Sequence, residues 1–324
     1  MTPDAGCVPL WCTTVHSFLI GASHPQELVT AAAEAGCYGI AITDRDSLGG
    51  VVEAWQQVLE SRTAGSDGEH ARRESPLQLL IGAEVTVAAT EEMVADDKAT
   101  VAATEATVAD DKATVAATEA TVAATEATVA ATEEMAGSAV PPSYRVLLYA
   151  AGAVGYGNLS ELISHGRLRR PKGESLVTPE EVRRFSADVL MIWTEDSGDE
   201  TALTEILPAF SGRAWIGISR HFRPGDQDTE MRLRQWAHRL DLPIVALPHV
   251  LYHDPARREV QDVLTCIRAG TTLDDSAETL LPNASFTLPT PESMTFVYRD
   301  HPQWVAETRR IADRCTFLLS EIQY

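Results

Sequence analysis

The sequence predicts an α/β protein built as a β/α barrel of seven strands. Three features support this: seven apolar runs with the length of buried strands, helix signals between most of them, and titratable residues after several of them. Such alternation indicates parallel β-α units, which form either an open doubly wound sheet or a closed barrel. The predicted strands span residues 8–12, 38–42, 77–85, 145–150, 189–194, 214–220 and 243–250.

Helix signals lie between these runs. Ser23 precedes Pro25 and is the predicted N-cap of a first helix, because a serine before a first-turn proline is typical of a helix start. Thr178 precedes Pro179 in the same kind of motif and is the predicted N-cap of another helix. Asp254-Pro255 opens a helix whose apolar residues are Val260, Val263, Leu264 and Ile267.

Titratable side chains gather where predicted strands end. Residues 44–46 (Asp-Arg-Asp) follow the second strand, Glu84 lies near the end of the third, and His221 and His249 end the last two. A β/α barrel collects functional side chains at the carboxyl ends of all its strands, whereas an open sheet concentrates them at one switch point. The distribution therefore favours the barrel.

A heptad repeat interrupts this pattern at residues 87–135. Seven near-identical units contain 11 acidic residues and two lysines, so they carry −9 of the net charge of −21. A coiled coil needs strong apolar residues at two positions of each heptad, and these units supply only valine at one. We expect a tolerated insert, either a solvated helix or a disordered segment; an interaction rod is the alternative.

Charge and composition exclude several classes of function. With 47 acidic and 26 basic residues, the chain is not expected to bind DNA strongly by itself, because such binding depends on Lys and Arg. No apolar run has the length of a membrane span and no leader is apparent, so a cytoplasmic protein is expected. The cysteines form no C-x-x-C pair and predict neither disulfides nor a zinc ribbon; they are Cys7, Cys12, Cys37, Cys266 and Cys315.

One basic run is an exception to the acidic composition. Residues 165–172 contain a histidine, three arginines and a lysine. A run of this kind is usually a solvated loop, and contact with a phosphate backbone or a polymerase neighbour is the alternative.

Several segments together resemble the PHP domain. More narrowly, they are similar to the N-terminal PHP region of bacterial C-family DNA polymerases, which include the polymerase III alpha subunit and its error-prone relative. The resemblance covers the chain apart from the heptads and residues 62–75. It is carried by LWCTTVHSFLIGASHPQELV, GIAITDRDSLGG, IGAEV, GYGNLSELI, RHFRPGD, VALPHVLYHDPARREVQDVLTCIRAGTTLDD and LLPNASFTL.

The resemblance implies a distorted seven-stranded β/α barrel and a division of the chain. Residues 1–86 and 141–282 form the two parts of the barrel, and residues 87–140 form the insert between them. Residues 283–324 are expected to be a short helical extension that leads toward a polymerase body, which this chain lacks.

The resemblance also implies a metal site at the barrel mouth, but few of its ligands are present. The family's opening H-x-H falls on Trp11 and Thr13, and the acidic residue that follows falls on Ile20. The closing D-x-H falls on His249 and Leu251. Indole and aliphatic groups cannot bind a divalent cation, so these positions predict a degenerate pocket.

The middle motifs of the family are better preserved. In T-D-H-D the two aspartates remain as Asp44 and Asp46, whereas the histidine position is Arg45. Glu84 and His221 stand where the family has a glutamate and often a histidine. Arg45 is a permanent cation that repels metal and can pair with Glu84 or Asp44.

From these positions we predict no catalytic residue, no bound metal and no other cofactor. One alternative is a single zinc or manganese ion on Glu84, His221 and His249, since a carboxylate and two imidazoles are an adequate set. The favoured alternative is that these three residues hydrogen-bond one another or Arg45.

The predicted function is that of a structural or docking module. The expected partner is a polymerase body for DNA-directed DNA synthesis, or other replication and repair subunits. A partner is expected because the chain lacks a polymerase catalytic domain. A stand-alone metal-dependent phosphoesterase and a truncated relic without function are the alternatives.

Overall fold

A computed structural model describes residues 6–64, 77–89, 142–276 and 279–322. Its strands are β1 Trp11–Cys12, β2 Gly39–Arg45, β3 Gln78–Ala88, β4 Ser143–Ala150, β5 Val189–Trp193, β6 Ala214–Ile218, β7 Ile244–Ala246 and β8 His249–Val250. Its helices are α1 Pro25–Glu34, α2 Gly49–Ala64, α3 Ala153–Leu168, α4 Pro179–Arg184, α5 Glu200–Ile206, α6 Asp226–Arg239, α7 Arg258–Ala269, α8 Pro291–Val297 and α9 Pro302–Arg314. Within these ranges, every helix is too short or too polar to cross a bilayer.

Six strands form one curled sheet in the order β2-β3-β4-β5-β6-β7, and β1 pairs with β8. The predicted α/β class is confirmed. The predicted parallel arrangement is wrong at β4, which is antiparallel to β3 and β5. The count of seven strands in one barrel is not confirmed, because predicted strand 243–250 consists of β7 and β8, which pair with different neighbours.

The N-terminal segment connects the two edges of this arrangement. The carbonyls of Cys7 and Pro9 accept backbone hydrogen bonds from Tyr38 and Ala41, at 3.0 and 2.9 Å. The segment before β1 therefore lies beside β2, while β1 itself pairs in parallel with β8.

The segment that contains the heptad tract follows the end of β3 and precedes the start of β4, and these two strand ends are neighbours in the sheet. Val87 and Ala88, which begin the predicted insert, are instead the last residues of β3, and Ala88 pairs with Ser143 of β4. The Ala89 N–H donates to the Pro142 carbonyl at 2.9 Å. The rest of the predicted insert, residues 90–140, lies outside the described residues. Because antiparallel neighbours need no crossover, a connection of any length can join these two ends.

Alternation along the strands divides the core into two layers. Ala41, Leu80 and Tyr149 belong to a cluster on the concave side of the sheet. Their neighbours Ile40 and Ile42 belong to the cluster beneath the helices. Successive side chains of a strand point to opposite faces, so a residue's place in the sequence decides which layer it joins.

Helix α9 closes the end of the sheet at which β2 and β3 begin. Ile311 and Ala312 are buried against the concave-side cluster. The Gln78 side-chain amide donates to the carbonyls of Ala312 and Cys315, at 2.9 and 2.8 Å. The carboxyl ends of β2 and β3 therefore lie at the opposite end of the sheet.

The helix signals were partly correct. Thr178 caps α4 as predicted, because its hydroxyl accepts from the Glu181 N–H at 3.1 Å. The predicted Ser23 cap is wrong: the Ser23 hydroxyl instead contacts His253, and the Glu27 carboxylate accepts from the His24 N–H before α1. A serine hydroxyl bonds whichever polar group the tertiary structure brings near, so a local motif does not fix its partner.

Gly155 and Gly157 provide a test of the packing of α3. A Cβ at Gly155 would lie 1.9 Å from the Asp188 carbonyl oxygen, whereas one at Gly157 would meet nothing within 4 Å. We expect Gly155→Ala to lower the free energy of unfolding by about 2–3 kcal/mol, because backbone must move. The control Gly157→Ala should raise it by about 0.5–1 kcal/mol. Urea unfolding measures both, and equal effects would contradict the close approach.

Candidate functional site

The concave side of the sheet carries charged side chains where β2 and β3 end. Arg45 and Glu84 are directly paired residues of these strands. Arg45 Nε lies 2.5 Å from Glu84 Oε2, and Arg145 Nε lies 3.5 Å from Glu84 Oε1, an ion pair without hydrogen-bond geometry. Glu84 is buried, so its carboxylate is held between two guanidinium groups.

Sequence reasoning did not identify Arg145 as part of this group. If all strands were parallel, as predicted, the start of β4, where Arg145 lies, would be far from the end of β3. Because β4 is antiparallel to β3, Arg145 is paired with Thr86, and Thr86 lies two residues after Glu84 on the same face of β3. An arginine at the start of a strand is informative only once the strand direction is known.

His249 is held by two of the residues predicted to line the pocket. Trp11 and His249 are paired residues of β1 and β8, and their rings stack with centroids 3.8 Å apart and an interplanar angle of 5°. The Thr13 hydroxyl lies 3.0 Å from His249 Nε2. An indole therefore covers one face of the imidazole, and a hydroxyl engages its outer nitrogen.

His221 lies behind His249 and is fully buried. The His249 backbone N–H donates to His221 Nε2 at 3.1 Å, so this nitrogen carries a lone pair. Nδ1 then bears the proton and lies 3.1 Å from the Ser285 hydroxyl, while Phe286 stacks on the ring at 3.9 Å. Burial lowers the pKa of His221 to about 4, which keeps the ring neutral at pH 7.

His249 is in a similar electrostatic environment. Burial lowers its pKa well below the ordinary value for histidine. The neighbouring His221 and the positive charges of Arg45 and Arg145 act in the same direction. A metal cation at this point would meet the same unfavourable positive field.

Apolar side chains occupy the two remaining positions that the resemblance assigned to metal ligands. Ile20 and Leu251 are buried in one cluster with Ala22, Tyr252 and Phe286. The Leu251 N–H donates to the Phe286 carbonyl at 2.8 Å, which fixes this cluster to the chain beside His221. The mouth is packed here rather than lined with polar groups.

Asp44 and Asp46 do not join the Glu84 group. Asp44 accepts hydrogen bonds from the Thr14 N–H and the Ser17 hydroxyl, both at 2.8 Å. Asp46 accepts from the N–H and hydroxyl of Thr86, at 2.8 and 2.7 Å. Burial raises the pKa of both carboxyl groups, to about 6 for Asp46. Both aspartates fasten loops to strands in this arrangement.

The three weak candidates for a single metal ion are already engaged. Arg45 covers Glu84, a backbone N–H occupies His221 Nε2, and Thr13 contacts His249 Nε2. Across residues 6–64, 77–89, 142–276 and 279–322, no three His, Cys, Asp or Glu side chains converge in a way that could hold a metal. The donor set as folded does not fit a divalent cation.

The basic run at residues 165–172 begins in the last turn of α3 and continues beyond it. His165 and Arg169 both contact the Glu181 carboxylate, and the Arg167 side chain donates to the Asp46 carbonyl at 2.7 Å. These contacts fasten the end of α3 to α4 and to the end of β2. Contact with a phosphate backbone or a polymerase neighbour stays an untested alternative.

A comparison with protein families identifies the fold. The model of the PHP domain matches residues 10–208, which is more than half of the chain. The chain belongs to the PHP family. The resemblance of the sequence motifs is thereby confirmed.

Relatives of this PHP domain include longer proteins named error-prone DNA polymerase. The protein from Rhodopseudomonas palustris (strain BisB5) is 30% identical over 317 residues, which are 96% of this chain and 23% of the relative. That from Bordetella parapertussis is 31% identical over 333 residues, 98% of this chain and 26% of the relative. The chain thus spans about a quarter of the length of these relatives.

A solved structure is also similar to this PHP domain. It is a proposed metal-dependent phosphoesterase from Bifidobacterium adolescentis, with a TM-score of 0.44 and 16% sequence identity. The similarity covers 77% of this chain and 90% of that one.

The pH dependence of stability tests the neutral state of His221. Its pKa of about 4 lies below the ordinary value of about 6.5, so the unfolded chain binds a proton at a higher pH than the folded one. The stability contributed by the neutral ring is complete above pH 6.5 and is lost as the pH falls toward 4. We expect the destabilisation by His221→Gln to shrink by about 2 kcal/mol between pH 7 and pH 5 in urea unfolding. A difference independent of pH would contradict a buried neutral ring.

Substitution of Arg45 tests the balance of charge around Glu84. Arg45→Met should lower the free energy of unfolding by about 1–3 kcal/mol, because Glu84 then keeps a buried charge with only the longer contact to Arg145. The double variant Arg45→Met/Glu84→Gln should recover much of the loss. The control Arg239→Met breaks an exposed pair with Glu200 and should cost less than about 1 kcal/mol. A double variant no more stable than Arg45→Met would show that the arginine acts through packing alone.

Proposed function

We propose that this PHP domain is a metal-free, non-catalytic module that supports a polymerase body, supplied by another part of the protein or by a separate chain. The placement of Arg45 and Arg145 around Glu84 carries the proposal. A buried carboxylate needs a nearby positive charge, and the two guanidinium groups supply it without a metal ion.

The relatives support the choice of partner. They are named error-prone DNA polymerases, and this chain corresponds to about a quarter of their length. The remaining three quarters of those proteins lie outside the region that this chain matches. A domain that resembles one part of a larger protein is most simply understood as a part that works beside the rest.

A stand-alone phosphoesterase of the PHP class finds less support in the site. That chemistry requires carboxylates and imidazoles that are free to hold metal ions and activate water. Here the Glu84, His221 and His249 donors are engaged by protein groups. The relic without function differs from our proposal only in lacking a partner, so partner binding decides between them.

Metal content and phosphoesterase activity test the catalytic part of the proposal. We expect the full chain, purified without chelator, to contain less than about 0.1 zinc or manganese ion per chain by plasma mass spectrometry. With added manganese it should hydrolyse bis-p-nitrophenyl phosphate no faster than buffer. A stoichiometric ion would contradict the metal-free state, and hydrolysis abolished by Glu84→Gln would show that the site is catalytic.

Co-purification tests the supporting role. The tagged full chain, produced in its natural host, should retain a polypeptide homologous to the polymerase part of the error-prone enzymes, identified by mass spectrometry. A tagged unrelated acidic protein of similar size is the control. Absence of any such polypeptide would favour the relic.

A further inference from the structure

Helix α7 is oriented opposite to the usual amphipathic helix. Its polar residues Gln261 and Thr265 are 2% and 4% exposed. Its apolar residues Val260, Val263 and Ile267 are 41%, 43% and 59% exposed. The sequence pattern predicts that the apolar residues of such a helix face the core, but these three face away from it, and of the four predicted apolar residues Leu264 alone packs against a buried cluster.

Helical geometry makes the three exposed residues one continuous surface. At about 100° per residue, Val260, Val263 and Ile267 fall within an arc of about 60°. Gln261 and Thr265 fall on the far side of the helix. We call the three exposed residues the α7 apolar face.

Specific contacts hold α7 in this orientation. The Gln261 side-chain amide donates to the Ile20 carbonyl at 3.5 Å, and the Thr265 hydroxyl donates to the Gln261 side-chain oxygen at 3.2 Å. Both contacts are buried, and Cys266 packs on the same side. Rotation of α7 to bury its apolar face would bring these polar groups into water and break the bond between Gln261 and the Ile20 carbonyl.

Charged residues lie on either side of the α7 apolar face, with Glu259 beyond Val263 and Arg268 beyond Val260. Arg268 follows Ile267 and is exposed, and it forms no ion pair with another described residue. Partial burial lowers the pKa of Arg268, and the positive charges of Arg45 and Arg145 act in the same direction. The positive field of these two arginines therefore extends to the end of α7.

We propose that the α7 apolar face is the surface on which this PHP domain docks the polymerase body, through an apolar segment of the partner flanked by an acidic residue that pairs with Arg268. This rests on the proposed function. An apolar stripe on a soluble protein is stabilised when a partner covers it, and arginine is enriched among the residues that contribute most to binding at interfaces. The relatives support this choice of occupant, because about three quarters of their length lies beyond the region matched by this chain.

Site-specific photocrosslinking in the natural host tests the surface. A photoreactive benzoylphenylalanine replaces Val263 in the full chain, and in a matched control it replaces Val52, an exposed valine on α2. We expect position 263, and not position 52, to crosslink to a polypeptide homologous to the polymerase part of the error-prone enzymes.

Substitutions provide a second measurement. Val263→Glu/Ile267→Glu should reduce co-purification of that polypeptide at least tenfold, because carboxylates would be desolvated in an apolar contact. The control Val52→Glu/Val154→Glu introduces the same charges at exposed positions of α2 and α3 and should change the co-purification of that polypeptide less than twofold. Arg268→Glu should also reduce it, and Arg232→Glu on α6 should not. Circular dichroism of each purified variant shows whether the fold is intact.

The outcomes separate the two proposals. If the unmodified chain retains the polymerase polypeptide but position 263 does not crosslink to it, the α7 surface is wrong and the proposed function stands. If the unmodified chain retains no such polypeptide, the proposed function fails. A crosslink from position 263 to a second copy of this chain, or to an unrelated protein, would overturn the docking proposal.

Discussion

The arrangement of the barrel mouth depends on the buried charge of Glu84. A carboxylate removed from water requires a cation beside it. Arg45 reaches it from the adjacent strand and Arg145 from the strand on the other side. Once these guanidinium groups are in place, their positive charge disfavours other cations nearby, including protonated histidine. The neutral states of His221 and His249 are therefore consistent with the charge balance around one carboxylate.

The rest of the mouth is organised by packing. Stacking of Trp11 on His249 and of Phe286 on His221 turns two potential ligands into parts of a layered core. The contact between the His249 N–H and His221 joins these layers, and Ile20 and Leu251 extend them with aliphatic groups. Well-packed rings and aliphatic chains are a stable filling for this region, because they leave few buried polar groups to satisfy.

The two sides of the domain differ in how completely their apolar surface is covered. On one side, Ile311 and Ala312 of α9 complete the concave-side core. Near the mouth, α7 buries glutamine and threonine and leaves its valines and isoleucine in contact with solvent. Gln261 holds this orientation through the Ile20 carbonyl, so it is part of the folded structure and not a consequence of a loosely attached helix.

Much of this protein was determined by local sequence. The apolar runs specified the strands of the sheet, because β-branched and aliphatic residues in short runs are buried in α/β proteins. The motifs specified the PHP family, and Arg45 beside Glu84 followed from pairing between neighbouring strands. The direction of β4, the role of Arg145, the departure of Asp44 and Asp46 from the Glu84 group and the outward apolar face of α7 were decided only by the tertiary structure. Each depends on contacts between residues distant in the chain, and a local pattern of hydrophobicity or charge carries no information about which distant group will be its neighbour.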